Sequence, residues 1–381
     1  MSAPGPIGVV GSSGEVGRVA VRSLRRLGAD RLRLGARNAE AVRRATGGND
    51  GGPCQVEVLP VDVFDAGALR RFCAGCAVVV NCSGPSCLIG DLVARAALAE
   101  GADYIDPAGD DELYRALAGL GFAAAGRAAL ISAGMMPGLT ALLPRYLAAG
   151  GMERPQRLAA FVGGRDHFTV SAAADYLAAA SSGYGQPAAA WHDGLRQAQA
   201  PGSSAARELP FFPGRVAIMP YLSTETERLA RALGLAEVRW YSVFDGTHLL
   251  AALRRHQAAR SGPALLGAAE EVTRAAQLDV FGTRPYQAMV MQLEGQAGQH
   301  PRTHALMVRA NGASELTGAV AAVACWAVLC GEAAAGVHHA GEVLDPATAM
   351  ARLRSTAAAH VVELPDVAVT VGPSAFQDGL L

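Results

Sequence analysis

Residues 6–10 read PIGVV and residues 11–17 read GSSGEVG, and this junction decides the fold. The apolar run predicts a buried strand, and apolar residues recur with helical spacing from Val19 to Leu24. A glycine-rich turn placed between a strand and a helix is typical of a dinucleotide-binding site. Its spacing is GxxGxxG.

The glycines of this turn have separate physical roles. Gly11 allows the tight turn, Gly14 lets a pyrophosphate approach the backbone, and Gly17 lets the helix pack closely on the strand. The start of the helix offers free N–H groups and the positive end of its dipole to an anion. The cofactor-binding residues predicted here are Gly11, Ser12, Ser13, Gly14, Glu15 and Val16.

Strands and helices alternate along the rest of the N-terminal third. The further strands are predicted at residues 31–36, 56–61, 77–81, 103–106 and 128–132, and the helices at 39–45, 66–72, 88–100 and 111–125. Such alternation implies right-handed crossovers between parallel strands. The predicted fold class is therefore α/β, with a doubly wound parallel sheet of the Rossmann type.

The end of the second predicted strand distinguishes between two cofactors. A site for NAD places Asp or Glu there to bind the ribose 2′-hydroxyl. Here Arg37 and Asn38 follow the strand instead. A guanidinium pairs with a 2′-phosphate, which an acid would repel, so NADP(H) is the predicted cofactor.

Further turns follow the later strands, at the edge where open α/β sheets bind their ligands. Asp62 is placed to accept a hydrogen bond from the adenine amino group. Asp106 has two interpretations, as a group that faces the substrate or as the N-cap of the next helix. The other cofactor-binding residues predicted in these turns are Val63, Cys82, Ser83, Gly84 and Pro85.

Composition excludes several classes of function. The 33 basic and 34 acidic residues nearly balance, and neither sign forms a block, so nucleic acid and membrane surfaces are not expected partners. The long apolar run at residues 319–330 is too short to span a bilayer. No signal peptide is seen at residues 1–10, so a cytoplasmic location is expected. All the basic residues are arginines, which excludes Schiff-base lysines and Tyr-x-x-x-Lys relays.

Neither the cysteines nor the paired histidines indicate a metal site. The seven cysteines form an odd number in a chain without a secretory signal, which favours free thiols. Cys73 and Cys76 form one CxxC pair, but no second pair or nearby histidine completes a zinc site. His338 and His339 have no carboxylate or cysteine at ligand spacing in the sequence. No metal is therefore predicted.

The regular alternation of strands and helices ends after residue 136, which predicts a second domain. Two strands at residues 286–293 and 303–309 flank a glycine-containing turn and predict an antiparallel hairpin. An α+β domain with a mixed or antiparallel sheet is therefore expected, and the hairpin could extend this sheet across the axis of a homodimer.

The middle segment is rich in polar and aromatic residues that could line a substrate pocket: His167, Thr169, Asp175, Tyr176, Tyr184, Trp191, His192, Asp193 and Tyr221. His192 lies between Trp191 and Asp193, which suits either a proton donor or a surface histidine. The candidate catalytic residues are Asp106, Tyr184 and His192.

Taken in order, these blocks resemble the saccharopine dehydrogenase NADP-binding family, which includes saccharopine reductase-like enzymes. The matching blocks are GxxGxxG at 11–17, GARN at 35–38, VVNCSGP at 79–85, GxxYxD at 101–106, AGMMPGL at 133–139, GV at 336–337 and EVL at 342–344. The resemblance implies that the long apolar helix at 316–329 packs on the first domain. The NADP-binding domain would then comprise residues 1–135 and about 314–381, and residues 136–313 would bind substrate and mediate dimerisation.

The resemblance implies an NADPH-dependent oxidoreductase with a small-molecule substrate. Reduction of a C=N bond in an amino-acid-derived substrate is the main hypothesis, because an iminium needs less acid catalysis than a ketone. The alternatives are a trans-acting reductase of a carrier-bound enoyl or thiazoline group in natural-product biosynthesis, and a non-catalytic regulator that senses NADP(H).

Overall fold

The computed structural model of the chain describes residues 5–45, 54–182, 184–198, 206–256 and 262–365. Its strands are β1 Ile7–Val10, β2 Arg31–Ala36, β3 Gln55–Pro60, β4 Val78–Asn81, β5 Asp103–Ile105, β6 Ala128–Ile131, β7 Arg154–Arg165, β8 Gly185–Pro187, β9 Ala189–His192, β10 Leu195–Ala198, β11 Arg207–Glu208, β12 Arg215–Ser223, β13 Glu237–Phe244, β14 Tyr286–Ala297, β15 His300–Ala310, β16 Gly336–His339 and β17 His360–Pro365.

The helices connect these strands along the same described ranges. They are α1 Glu15–Leu27, α2 Ala39–Ala45, α3 Ala66–Cys73, α4 Ser86–Ile89, α5 Leu92–Ala99, α6 Asp111–Ala118, α7 Leu139–Ala149, α8 Val170–Ser182, α9 Thr224–Leu233, α10 His248–Arg255, α11 Gly262–Val280, α12 Ala313–Leu329, α13 Ala340–Val343 and α14 Pro346–Ser355. No helix among the described residues is both long and apolar enough to cross a membrane.

The chain divides into two compact units. The first unit contains Met1–Leu142, Val170–Tyr176 and Ala313–Ala359, and the second contains Leu143–Thr169, Leu177–Gly312 and His360–Leu381. This division differs from the predicted domain boundaries in three places, the first of which is that the first unit extends to Leu142 rather than to residue 135. The start of α8 belongs to the first unit, and β17 belongs to the second because it pairs with β15. Residues 366–381, which were assigned to the first domain, lie outside the described residues.

The first unit is built on the parallel sheet that the alternating pattern predicts. Its strand order is β16-β6-β5-β4-β1-β2-β3, and every described pairing is parallel. From β1 the chain moves to β2 and β3 on one side and to β4, β5 and β6 on the other. The carboxyl ends of β1 and β4 therefore flank the switch point, where doubly wound sheets bind nucleotides.

Close contacts between backbone and side chains explain how α1 and α12 fit this unit. A Cβ added at Gly318 of α12 would lie 2.5 Å from the carbonyl oxygen of Val16, so the two helices approach closely. Arg22 of α1 forms an ion pair with Glu315 of α12. Helix α12 is buried along most of its length, as its continuous apolar sequence predicts. Helix α12 therefore joins the first unit, although it follows most of the second unit in the sequence.

Two predicted helices of the first unit are shorter in the structure. The segment predicted as one helix at 88–100 forms α4 and α5, because Gly90 adopts a φ of +53° between them. Helix α6 ends at Ala118 rather than at the predicted residue 125. Gly121, which lies between these two positions, has a φ of +89°. In both cases a residue in the left-handed region interrupts a regular helix.

The second unit contains a mixed sheet. Its main path among the described residues is β10-β9-β13-β7-β14-β15-β17. Strand β12 also pairs with β13, and β8 and β11 pair with β12. Strands β7 and β13 are parallel, whereas β14 pairs with β7 and β15 in antiparallel fashion. The predicted hairpin is formed by β14 and β15, with Gly298 at a φ of +61° in its turn. Phe161 and Tyr241 stack on one face of this sheet at 5.1 Å.

Candidate functional site

The glycine-rich turn is held tightly between two strands of the first unit. The backbone N–H and hydroxyl of Ser12 both donate to the carbonyl oxygen of Gly35, at 3.0 and 3.1 Å. A Cβ at Gly11 would lie 2.6 Å from the backbone of Cys82, and one at Gly17 would lie 2.2 Å from the carbonyl oxygen of Gly11. Larger residues at these two positions would push the turn, the helix and the β4 turn apart.

The start of α1 is open to a ligand. Ser13, Gly14 and Glu15 are exposed and Val16 is half-buried, and helix N–H groups at this position have no acceptor one turn before them. The Glu15 carboxylate accepts a hydrogen bond from the Ser314 hydroxyl at 3.2 Å, within the same unit. An anion at this end of the helix would therefore contact backbone N–H groups.

Arg37 and Asn38 have different roles at the end of β2. The side-chain oxygen of Asn38 accepts from the N–H of Ala41 at 3.0 Å and so caps α2. Arg37 is exposed, and among the described residues no hydrogen bond or ion pair engages its guanidinium. It is therefore available to pair with a phosphate, whereas the Asn38 side chain is occupied.

The turns after β3 and β4 lie along the same sheet edge. Asp62 is exposed, and one of its oxygens accepts from the N–H of Phe64 at 3.0 Å, which leaves the other oxygen for a ligand. Val63 packs against the core of the unit. The N–H of Cys82 donates to the carbonyl oxygen of Val10 at 2.8 Å, so the turn continues the pairing of β4 with β1. Ser83 and Pro85 are half-buried, and Gly84 is exposed.

Asp106 lies at the centre of a buried polar cluster. Its Oδ2 accepts from the Tyr104 hydroxyl at 2.5 Å and from the Asn81 amide at 3.0 Å, and its Oδ1 accepts from the N–H of Ala108 at 2.9 Å. Asn81 also accepts from Ser83, through the backbone N–H at 3.2 Å and through the hydroxyl. The cluster therefore joins the end of β4 to the end of β5.

The charge state of Asp106 is controlled by this environment. The carboxyl is 2% exposed. Burial raises its pKa to about 6, although the hydrogen bonds from Tyr104 and Asn81 oppose that rise. Burial also raises the pKa of Tyr104 well above its usual value. A carboxyl with a pKa near neutrality can hold and release a proton under ordinary conditions.

The interpretation of Asp106 as a helix cap is wrong. Asp110 is the N-cap residue of α6, and Asp106 instead accepts hydrogen bonds from Tyr104, Asn81 and Ala108. Asn81 and Tyr104 were not among the predicted site residues. The available signal was register, because parallel pairing of β4 with β5 places Val80 beside Ile105, so the residues that follow both strands are neighbours.

Asp175 belongs to this unit rather than to the second domain as predicted. Its Oδ1 accepts from the Ser86 hydroxyl and the Cys87 N–H at 3.0 and 3.1 Å, and its Oδ2 accepts from the Ser86 N–H at 3.0 Å. Asp175 thereby fixes the turn that begins α4. Its negative charge contributes to the raised pKa of Asp106. Tyr176 is half-buried, and burial raises its pKa to about 12.

The other predicted pocket residues lie in the second unit. His192 is 52% exposed by its side chain and pairs with Asp193 at 3.2 Å, near the edge of the sheet. Trp191 is a core residue, 2% exposed, whose indole N–H donates to the carbonyl oxygen of Leu235. Tyr184 is half-buried, and its carbonyl oxygen accepts from the N–H of Thr224. The second unit also contains His167, which is exposed, and Thr169 and Tyr221, which are half-buried.

A second buried carboxylate, Asp245, lies in this unit with a different set of partners. Its Oδ1 pairs with Arg165 at 2.6 Å, and its Oδ2 accepts from the Tyr286 hydroxyl at 2.8 Å. The guanidinium of Arg309 lies over the Tyr286 ring at 4.6 Å. The sequence did not suggest this cluster, because its members come from four separate strands or strand ends.

Comparison with known proteins identifies the nucleotide-binding part of the chain. Residues 7–123 match the family model described as the saccharopine dehydrogenase NADP binding domain. This segment of the first unit is similar to the NADP-binding domain of saccharopine dehydrogenase. The predicted resemblance and the predicted cofactor are thereby confirmed for this domain. The residue-level assignments within it remain predictions.

Two known proteins illustrate how far the similarity extends. A probable mitochondrial saccharopine dehydrogenase-like oxidoreductase of Arabidopsis thaliana is 38% identical over 60 residues, which is 16% of this chain and 13% of that protein. The apo saccharopine dehydrogenase (L-Glu forming) of Saccharomyces cerevisiae has a TM-score of 0.65 at 15% identity, over 96% of this chain and 100% of that one. The latter likeness shows that the two-unit fold is shared.

Proposed function

We propose that the protein is an NADPH-dependent oxidoreductase that reduces a C=N bond in an amino-acid-derived small molecule. The observation on which this rests most is the Asn81–Tyr104–Asp106 cluster, because it places a proton-holding carboxyl at the ligand-binding edge of an NADP-binding sheet. The similarity of residues 7–123 to the saccharopine dehydrogenase NADP binding domain supports the same class of chemistry.

The residues present fit the cofactor. The turn at residues 11–17 leaves the start of α1 open to a pyrophosphate, and a Cβ at Gly14 would meet only the Gly11 carbonyl oxygen, at 3.3 Å. Arg37 would pair with the 2′-phosphate, and Asp62 would accept from the adenine amino group. When bound, NADPH supplies a hydride to the electrophilic carbon of the substrate.

The chain's own contribution is to control a proton. Reduction of a C=N bond adds a hydride to carbon and a proton to nitrogen. Asp106 can hold that proton at Oδ2, and the protonated Oδ2 then donates the 2.5 Å hydrogen bond to the Tyr104 oxygen instead of accepting it. A carboxyl group with a pKa of about 6 is acidic enough to protonate an amine-like nitrogen. This chemistry needs no lysine, and the chain has none.

The proposal is tested by following the loss of NADPH absorbance in the presence of imines formed from 2-oxo acids and amines. We expect turnover with at least one such imine, and we expect Asp106→Asn to lower kcat/KM by roughly hundredfold or more while NADPH still binds. Glu40→Gln, on the exposed face of α2, serves as a matched control and should not change the rate.

Two outcomes would contradict the proposal. Turnover of an enoyl thioester without turnover of any imine would assign the protein to carrier-linked reduction. Tight binding of NADPH without consumption in either assay would assign it to a regulatory role.

A further inference from the structure

A second cluster in the first unit joins two acidic residues to a buried histidine. Asp110 and Asp111 come from the start of α6, and His339 ends β16. One nitrogen or oxygen atom from each of the three lies within 4.8 Å of those from the other two. The separation between His339 Nε2 and Asp111 Oδ1 is 3.8 Å. Asp110 and His339 are buried, at 8% and 7% exposure.

The hydrogen bonds around His339 fix which ring nitrogen carries a proton. The hydroxyl of Ser132 donates to the carbonyl oxygen of Gly109 at 2.6 Å. A hydroxyl has only one proton, so its 3.0 Å contact with His339 Nδ1 requires Nδ1–H to be the donor. The lone pair of the neutral ring is then on Nε2, the nitrogen that faces the carboxylates. Metal-binding histidines are held by the same kind of outer hydrogen bond.

The ring and one carboxylate are also held in place. Tyr114 stacks on the imidazole with the ring centroids 5.0 Å apart and the planes 15° from parallel. Asp110 occupies the N-cap position of α6, yet its side chain does not accept a helix N–H there. An Asp at this position normally caps the helix. Its carboxylate is instead part of the group with Asp111 and His339.

One imidazole nitrogen and two carboxylates converge in this cluster, which is a donor set that suits a divalent cation. We propose that Asp110, Asp111 and His339 bind a divalent transition-metal ion such as Zn²⁺. One imidazole and two carboxylates supply the nitrogen and oxygen ligands that zinc accepts, with a fourth position for water. Small rotations of the aspartate side chains would bring the three ligand atoms to bonding distance.

Such an ion would connect distant parts of the chain within the first unit. Strand β16 pairs with β6 but follows most of the second unit in the sequence, whereas α6 follows β5 directly. A metal bound to both segments would hold β16 in place and would raise the unfolding temperature by an amount that grows with the logarithm of the metal concentration above its Kd. The proposal does not depend on the proposed reductase activity, because its test needs no turnover.

The test uses the full chain without a histidine tag, freed of metal with a chelator and titrated with Co²⁺ as a spectroscopic probe. We expect one Co²⁺ per chain, with the visible bands of a nitrogen and oxygen site and without the intense near-ultraviolet band of thiolate ligation. The exposed cysteines Cys87 and Cys330 make this distinction necessary. Zn²⁺ should displace the Co²⁺ and raise the unfolding temperature.

Three variants decide where the ion binds. His339→Gln and Asp111→Asn should each weaken Co²⁺ binding by at least about tenfold. His338→Gln is the matched control, since this neighbouring histidine contacts the Ala334 carbonyl oxygen instead of the cluster, and it should bind Co²⁺ as the wild type does. Asp111 is 30% exposed by its side chain, so Asp111→Asn should fold and retain NADPH binding even if His339→Gln does not fold.

Either of two results would overturn the proposal. One is the absence of stoichiometric Co²⁺ binding to the wild type, which would leave the cluster as an ion pair with protonated His339. The other is binding with a thiolate band, or with equal affinity in Asp111→Asn, which would place the ion elsewhere.

Discussion

Asp106 and Asp245 are both buried carboxylates that accept a hydrogen bond from a tyrosine, but only Asp245 has a cationic partner. Arg165 pairs with Asp245 at 2.6 Å, whereas only neutral donors contact Asp106 among the described residues. A buried charge with its counter-charge stabilises one arrangement of the strands around it. A buried carboxyl without a counter-charge keeps a pKa of about 6 and can exchange its proton. We therefore expect the presence or absence of a cationic partner to distinguish a structural carboxylate from one that exchanges a proton.

The first prediction tests the structural side of this comparison. Asp245→Asn leaves Arg165 without its negative partner, so we expect a loss of about 2–4 kcal/mol in the free energy of unfolding at pH 7. Arg165 is 25% exposed, which keeps the loss below that of a fully buried pair. Urea unfolding measures it, with Asp193→Asn, 74% exposed by its side chain, as the control. Equal stabilities for the two variants would remove the distinction.

The second prediction makes the same change at Asp106 and expects a dependence on pH. Its pKa of about 6 lies above the ordinary value of 3.8, so the folded state binds the proton more tightly than the unfolded state. The stability contributed by the protonated carboxyl is therefore complete below pH 4 and is lost as the pH rises to about 6. Stability curves for the wild type and Asp106→Asn should shift relative to one another by about 3 kcal/mol over this range, in favour of the variant at neutral pH.

The matched result for the second prediction comes from Asp245→Asn. Its stability should remain below that of the wild type at neutral pH, because Arg165 has lost its negative partner. Parallel curves for Asp106→Asn and the wild type would mean that Asp106 is ionised with its usual pKa, and the contrast between the two carboxylates would fail.

The third prediction applies the comparison to two arginines. Arg165 is paired, whereas no ion pair or hydrogen bond engages the exposed Arg37 among the described residues. Arg37→Glu should therefore leave stability unchanged and weaken NADPH binding by roughly tenfold to hundredfold, with a smaller effect on NADH. Fluorescence titration of both cofactors measures this effect. Arg31→Glu, at the other end of the same strand, is the control, and an equal loss of affinity in both variants would argue against contact with the 2′-phosphate.

Features that depend on the backbone were readable in the sequence. The turn at residues 11–17, the parallel sheet and the hairpin of β14 and β15 follow from glycine spacing and apolar periodicity. Gly11 and Gly17 are required because a Cβ at either position would meet main-chain atoms. A requirement of this kind is visible in the sequence itself as a glycine at a fixed spacing. The family resemblance and the cofactor were found from the same local blocks.

Side-chain clusters formed by tertiary packing were harder to find. Asn81 and Tyr104 meet Asp106 because neighbouring strands end at one level, and Asp175 joins their unit through a segment that the sequence pattern assigned to the second domain. His339 contacts Ser132 from 207 residues away. A search for ligands at short spacing in the sequence cannot detect a partner that the sheet brings alongside.

The last prediction concerns His192, the predicted catalytic residue with the least structural support. It is exposed and pairs with Asp193, which is more exposed still, so solvent screens the pair and its loss should change stability by less than about 0.5 kcal/mol. Because Asp106 has the buried environment that tunes a proton donor, we expect His192→Ala to keep kcat/KM within about twofold of the wild type. Steady-state kinetics from pH 5 to 8 test this expectation. The pH–rate profile of His192→Ala could instead lose its change in rate near pH 6, while Asp106→Asn retains it. That result would assign the proton donor to His192 in the second unit and not to Asp106.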